Sequence, residues 1–211
     1  MHSVSHQKGF INALIMFGIA LAVAIMAAWA IANRSSSSSS NQEQVKMSAS
    51  MILKESSDIR DGFARAFSDG ISPSALTFDM AANTGLFQPS RGYAVQQTAP
   101  IRAMDPTGTP ANFVWTYNKL VKINGIGIDA IDDSVISIGD LTGDVCRSIN
   151  NMLYNTDVSA TPMNGVGSLA DFAGAGAIDM SSNLPGRDGK TDLCVTTSDG
   201  KYVYFKVVVE K

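Results

Sequence analysis

The chain has 211 residues, which fits one domain plus a separate N-terminal helix. Its formal net charge of −3 gives no electrostatic footprint for nucleic acid. Only 17% of residues are charged, against about 25% in an average soluble domain. A long apolar run and a remainder rich in Ser, Gly, Thr and Asn account for the difference.

Met1–Gly9 is polar and ends in Lys8-Gly9. Phe10–Ala32, FINALIMFGIALAVAIMAAWAIA, then carries one polar side chain, Asn12. As a helix it would be about 34 Å long, enough for a hydrocarbon core of about 30 Å. A soluble core helix rarely stays apolar on every face. Three explanations compete. A cleaved secretory signal has a shorter apolar region and a small-residue cleavage site, whereas Asn33, Arg34 and six serines follow Ala32. A plain signal anchor would hold a periplasmic domain at the membrane. In the third, Gln7-Lys8-Gly9-Phe10 resembles a prepilin processing site: a basic leader ending in Gly, with Phe as the first mature residue. Lys8 and Arg34 barely orient the run. The short leader and the cysteines place the N-terminus in the cytoplasm.

Asn33–Asn41, NRSSSSSSN, reads either as a flexible linker or as a polar, partly helical section of one long helix. Beyond it Val45, Ala49, Ile52, Ile59, Phe63 and Ala66 form a heptad-like apolar stripe, with Ser56 filling the gap. The opposite face carries Lys54 with Asp58 and Asp61 with Arg65, opposite charges at i,i+4. This predicts an amphipathic helix over Gln42–Phe67, stopped at Ser68-Asp69-Gly70 by a left-handed glycine cap. Its stripe should bury against a sheet.

Ser72-Pro73 predicts a short helix over Pro73–Ala82. Gly85–Pro110 reads as loop. Asn112–Tyr117, Leu120–Ile123 and Ser134–Ile138 read as strands. Leu141, Val145, Ile149 and Met152/Leu153 predict a second helix, about Thr142–Tyr154. Pro162–Ala177 reads as loop. Leu193–Thr197 and Tyr202–Val209 flank Ser198-Asp199-Gly200, a hairpin signal.

Of the two cysteines, Cys146 lies in the second predicted helix and Cys194 near the start of the penultimate strand. In an exported chain two cysteines read as one disulfide. Closing a loop of this size contributes about 4 kcal/mol by the chain-entropy estimate. A metal site needs more ligands than two distant thiols.

These features together resemble the type IVb pilins, the family of bundle-forming and thin conjugative pili. The first cysteine opens a helix in Val145-Cys146-Arg147-Ser148-Ile149-Asn150-Asn151. The second, in Leu193-Cys194-Val195-Thr196-Thr197, shortly precedes the C-terminal strand Lys201–Phe205. With Gly9-Phe10 and the apolar run, the likeness touches both ends of the chain; Gly85–Ala130 does not take part in it. The resemblance implies an α+β fold. In it a long N-terminal helix, transmembrane over 10–32 and amphipathic over 42–67, packs on an antiparallel sheet. It implies a leader over 1–9, a helix over 10–67 interrupted by the Ser-rich 33–41, and a globular domain over 68–211. It also implies processing between Gly9 and Phe10 by a prepilin peptidase and residence in a bacterial inner membrane. Pilus assembly machinery would then polymerise the chain into a homo-oligomeric filament at the cell surface.

One departure matters. The family's fifth mature residue is usually Glu, which attracts the N-terminal amine of a neighbouring subunit inside an apolar filament core, where an uncompensated charge is costly. Counting from Phe10, the fifth residue here is Leu14. Leu14 accepts nothing; Asn12 is the nearest neutral acceptor. This shifts weight toward a minor or divergent subunit. Gly18 and the alanines after it would permit close helix approach.

Catalytic signals are few. The histidines, His2 and His6, both fall in the leader, which removes His-based triads and the usual zinc sites from a processed chain. Gly189-Lys190-Thr191 matches the end of a P-loop, but Leu184 stands where the motif needs Gly. Asp188 and Asp192 lack EF-hand spacing. The expectation is a non-enzyme without cofactor or metal: a structural subunit of a type IV pilus or related filament. The alternatives are a membrane-anchored periplasmic binding domain and a type II secretion pseudopilin.

Overall fold

The computed structural model describes residues 40–123, 125–127, 131–155, 167–175, 177–180 and 189–211. The chain divides into two compact units, Met1–Gln44 and Val45–Lys211. Of the first, only 40–44 is described, as helix. Helix α1 covers 40–68, and the second unit is built from its residues 45–68, strands β1 (Thr116–Ile123) and β2 (Asp133–Leu141), helix α2 (Gly143–Tyr154), and strands β3 (Ile178–Met180), β4 (Asp192–Thr196) and β5 (Tyr202–Val209). The five strands form one sheet in the order β3-β1-β2-β5-β4.

The apolar stripe forms α1 as its spacing predicts. Ala49, Ile52, Ile59, Phe63 and Ala66 are buried and share a core with Ile136, Ile138 and Tyr204 of the sheet. Gly70 ends the helix at φ 83°. Its N–H donates to Phe67 O at 2.9 Å and the Ile71 N–H to Ala66 O at 3.0 Å. These are the paired bonds of a Schellman stop, and a side chain would strain that backbone. Lys54 Nζ meets Asp58 at 2.6 Å. Arg65 does not turn to Asp61; its Nε donates to the carbonyl of Tyr93 at 3.0 Å.

The helix expected over Pro73–Ala82 does not form. Ser72 O accepts from Ala75 N at 3.0 Å and Leu76 N at 3.1 Å, closing a single turn. Thr77 then bridges to Gly85, and the Asp79 carboxylate takes the Ala81 N–H at 2.9 Å. Local side-chain bonds of this kind compete with helix. Phe78 is meanwhile drawn into ring contacts with Phe63, Phe87 and Tyr117. The two strands expected in 112–123 are one strand, β1, with a bulge between Asn118 and Val121. Thr142 caps α2, its side chain accepting from Val145 N. Part of the expected loop 162–177 is a π-turn, Asp171–Ala175.

β2 and β4 are buried at every residue, so period-two alternation is invisible in their sequences. One sheet face carries Ile136, Ile138, Cys194 and Tyr204 toward α1 and α2. The other carries Val135, Val195, Val203 and Phe205 toward Leu169 and Phe172.

The expected fold class needs correction. The N-terminal helix that the structure describes is amphipathic along its length, with exposed polar residues from Asn41 to Ser68, and is not a long apolar rod. Among the described residues no helix is long and apolar enough to cross a membrane; Phe10–Ala32 lies outside them. The sheet is mixed, not antiparallel, because β3 joins β1 in parallel, Val121 opposite Ile178. The arrangement is α+β with helices on one face and the 167–175 segment on the other.

Candidate functional site

Gly9, Phe10, Asn12, Leu14 and Gly18 lie outside the described residues. Cys146 and Cys194 are brought together: they form a disulfide with Cα atoms 5.3 Å apart, fully buried in the core between α2 and the sheet.

The bridge has a companion that sequence reading missed. Asn150 stands one turn after Cys146, on the same face of α2, and is fully buried. Its Oδ1 accepts from Cys194 N at 2.9 Å, and its Nδ2 donates to Cys194 O at 2.8 Å. One side-chain amide thus replaces the neighbouring strand that β4, at the sheet's edge, lacks at this residue. The available signal was a polar residue at an apolar position of the α2 stripe. At the end of α2, Tyr154 donates to Asp192 O at 2.8 Å and to Asp192 Oδ1 at 3.1 Å. Asp192 in turn takes Lys206 Nζ at 2.6 Å, both side chains nearly buried. Burial first, then the Asp192 charge, pushes the Tyr154 phenol up to about 12, so it stays a donor.

On the other side of the sheet, side chains of β1 and β2 hold the 171–172 turn. β3 has three residues. Beside the rest of β1, Asn118 Nδ2 donates to Asp171 O at 2.8 Å. Thr116 Oγ1 and Ser137 Oγ donate to Phe172 O at 3.2 and 3.0 Å. Unpaired edges are templates for association; on β4 the outer side is engaged at Cys194 by Asn150 and at Asp192 by Tyr154.

No family model, curated protein or solved structure matches the chain.

Two polar groups of α1 also face the core. Glu55 is buried and accepts from Trp115 Nε1 at 3.0 Å. Burial raises its pKa above the ordinary 4.5, with the Asp58 charge adding and the Trp115 bond and Lys54 opposing. Ser56, the gap in the stripe, shares a 3.0 Å hydrogen bond with the Tyr204 hydroxyl. Burial pushes that phenol far up.

On the outside, residues 93–97 run antiparallel along α1. Arg65 holds Tyr93 O, Gly62 abuts Ala94, and Gln97 Nε2 reaches Asp58 at 3.2 Å. A Cβ at Gly62 would sit 2.8 Å from both Ala94 Cβ and Tyr93 O, so this position needs glycine for the close approach. Shallow grooves of about 220 and 380 Å³ flank Arg65. Among the described residues no group of three or more His, Cys, Asp or Glu is placed to hold a metal ion. In the larger groove the Tyr93 hydroxyl donates to Asp69 Oδ2 at 2.7 Å.

Proposed function

We infer that the chain is a structural subunit, major or minor, of a type IV pilus or a related filament. A prepilin peptidase processes it, and its N-terminal apolar segment assembles it. The observation that carries the reading is the Cys146–Cys194 bridge. It ties a helix to the strand before the C-terminal one, where the resemblance to type IVb pilins puts it. The bridge also fits a domain folded in an oxidising compartment. Asn150 and Tyr154 engage the outer side of β4 at Cys194 and Asp192, and an edge blocked in this way does not pair wrongly among subunits held at high local concentration.

The test is the mature N-terminus. N-terminal sequencing and intact mass should find Phe10 as the first residue, N-methylated, and sheared cell-surface material should contain fibres of this chain. A chain that starts at Met1, or after Ala32, removes the reading. The alternative is a periplasmic domain that is anchored but does not polymerise; there Met1 is retained and fibres are absent.

A further inference from the structure

Cys194 is held by α2 in two independent ways, one covalent and one not. The covalent link is the disulfide. The other is the Asn150 amide, whose acceptor and donor take the Cys194 N–H and C=O at 2.9 and 2.8 Å. Asn150 and Cys146 are one helical turn apart, and side chains at i and i+4 lie on one face. The amide therefore fixes the β4 backbone at the residue whose sulfur must meet Cys146. It needs no sulfur–sulfur bond to do so. Cys146, Asn150 and Cys194 are all fully buried, and an amide bonded at both ends inside a core is costly to undock, because both its polar ends would be left unpaired.

We propose that Asn150 is a positioning residue for oxidation of the Cys146–Cys194 pair: it docks reduced β4 onto α2, so the fold brings the thiols together before the bond forms. The chemistry is thiol–disulfide exchange with a disulfide-bearing oxidant. One protein thiolate attacks the oxidant, forming a mixed disulfide and releasing one thiolate of the oxidant. The second protein thiolate then displaces the other. Two protein thiols are oxidised, one disulfide is reduced to two thiols, and the protons pass to the thiolates released. Docking raises the effective concentration of the second thiol in the closing step.

The full-length chain is reduced, then equilibrated with reduced and oxidised glutathione. The oxidised fraction gives the effective concentration of the pair. Asn150→Ala should lower that constant about tenfold, the effect of losing two buried hydrogen bonds. Tyr93→Phe removes a bond to Asp69 that involves neither α2 nor β4 and should leave the constant within about twofold. Amide exchange gives a second readout. In reduced wild type the Cys194 N–H should stay protected, and in reduced Asn150→Ala it should exchange freely while Leu193 and Val195 remain protected. An unchanged constant in Asn150→Ala overturns the proposal. So does rapid exchange at Cys194 in reduced, folded wild type, which decides the matter even if the alanine variant fails to fold when reduced.

Discussion

At the scale of single residues, the buried polar groups of α1 carry an energetic cost with a definite sign. Glu55 lies in the core with its pKa raised mainly by burial. Between the unfolded value and the raised folded one, the folded state binds more protons than the unfolded chain. Stability therefore falls as pH rises through that window and stays lower above it. Below the unfolded value of 4.5 the carboxyl is neutral in both states and the cost is gone. Glu55→Gln keeps an acceptor for Trp115 and removes the charge. Its melting temperature should exceed wild type by a few degrees at neutral pH, with the difference vanishing in acid. An equal or lower melting temperature at neutral pH would mean that the carboxylate is well paired. The Asp192–Lys206 pair behaves oppositely, because both partners are present and bonded. Lys206→Met leaves the Asp192 charge with the Tyr154 hydroxyl alone and should cost about 3 kcal/mol in denaturant unfolding. Adding Asp192→Asn should recover most of that loss, and a double variant no better than the single would show that the pair is not coupled.

At the scale of elements, what the sequence foretold depended on whether one face met water. α1 and α2 each have a wet side, so their apolar stripes were legible, and so was the β4–β5 hairpin through Asp199-Gly200. β2 is covered on both faces and only its β-branched half is legible, whereas β4, covered alike, is legible through the turn that follows it. β3 was invisible: three residues hold its place by pairing with β1, a long-range contact without local pattern. Pro73–Ala82 failed because Thr77 and Asp79 bond locally and Phe78 is claimed by distant rings. Of the site, the cysteines were legible because their chemistry has one common outcome in an exported chain. Asn150 and Glu55 were not, since their partners lie 44 and 60 residues away. The strap over α1 was unreadable for the same reason, and it yields a test. Gly62→Val has no room beneath Ala94 and Tyr93, so the strap should lift while the sheet stays intact. Limited proteolysis should then cut within Val95–Thr98 well before wild type is cut there. Equal resistance of the two proteins would mean that the strap adjusts instead.

At the scale of the whole molecule, the function proposed above divides on whether Phe10–Ala32 assembles subunits or only anchors one. Phe10–Ala32 carries one polar side chain, Asn12, so moving it from lipid to a bundle of like segments would gain little from the hydrophobic effect. Close packing and specific polar contacts must decide. In the filament proposed above, Leu14 supplies no carboxylate for a neighbouring amine, which leaves the small residues, Gly18 and Ala20, Ala22, Ala24, Ala27 and Ala28, and the amide of Asn12. Packing through small residues fails when one is enlarged. Gly18→Leu should therefore abolish incorporation into surface fibres while membrane insertion and the Cys146–Cys194 bridge persist, as read by fractionation and thiol labelling. Leu14→Glu tests the same seat from the other direction: it should be tolerated or improve assembly, because a neighbouring amine would meet a carboxylate there. A lone carboxylate in lipid would instead reduce insertion. If Gly18→Leu combined with Asn12→Leu leaves fibres and their subunit content unchanged, the segment is an anchor and the domain acts alone.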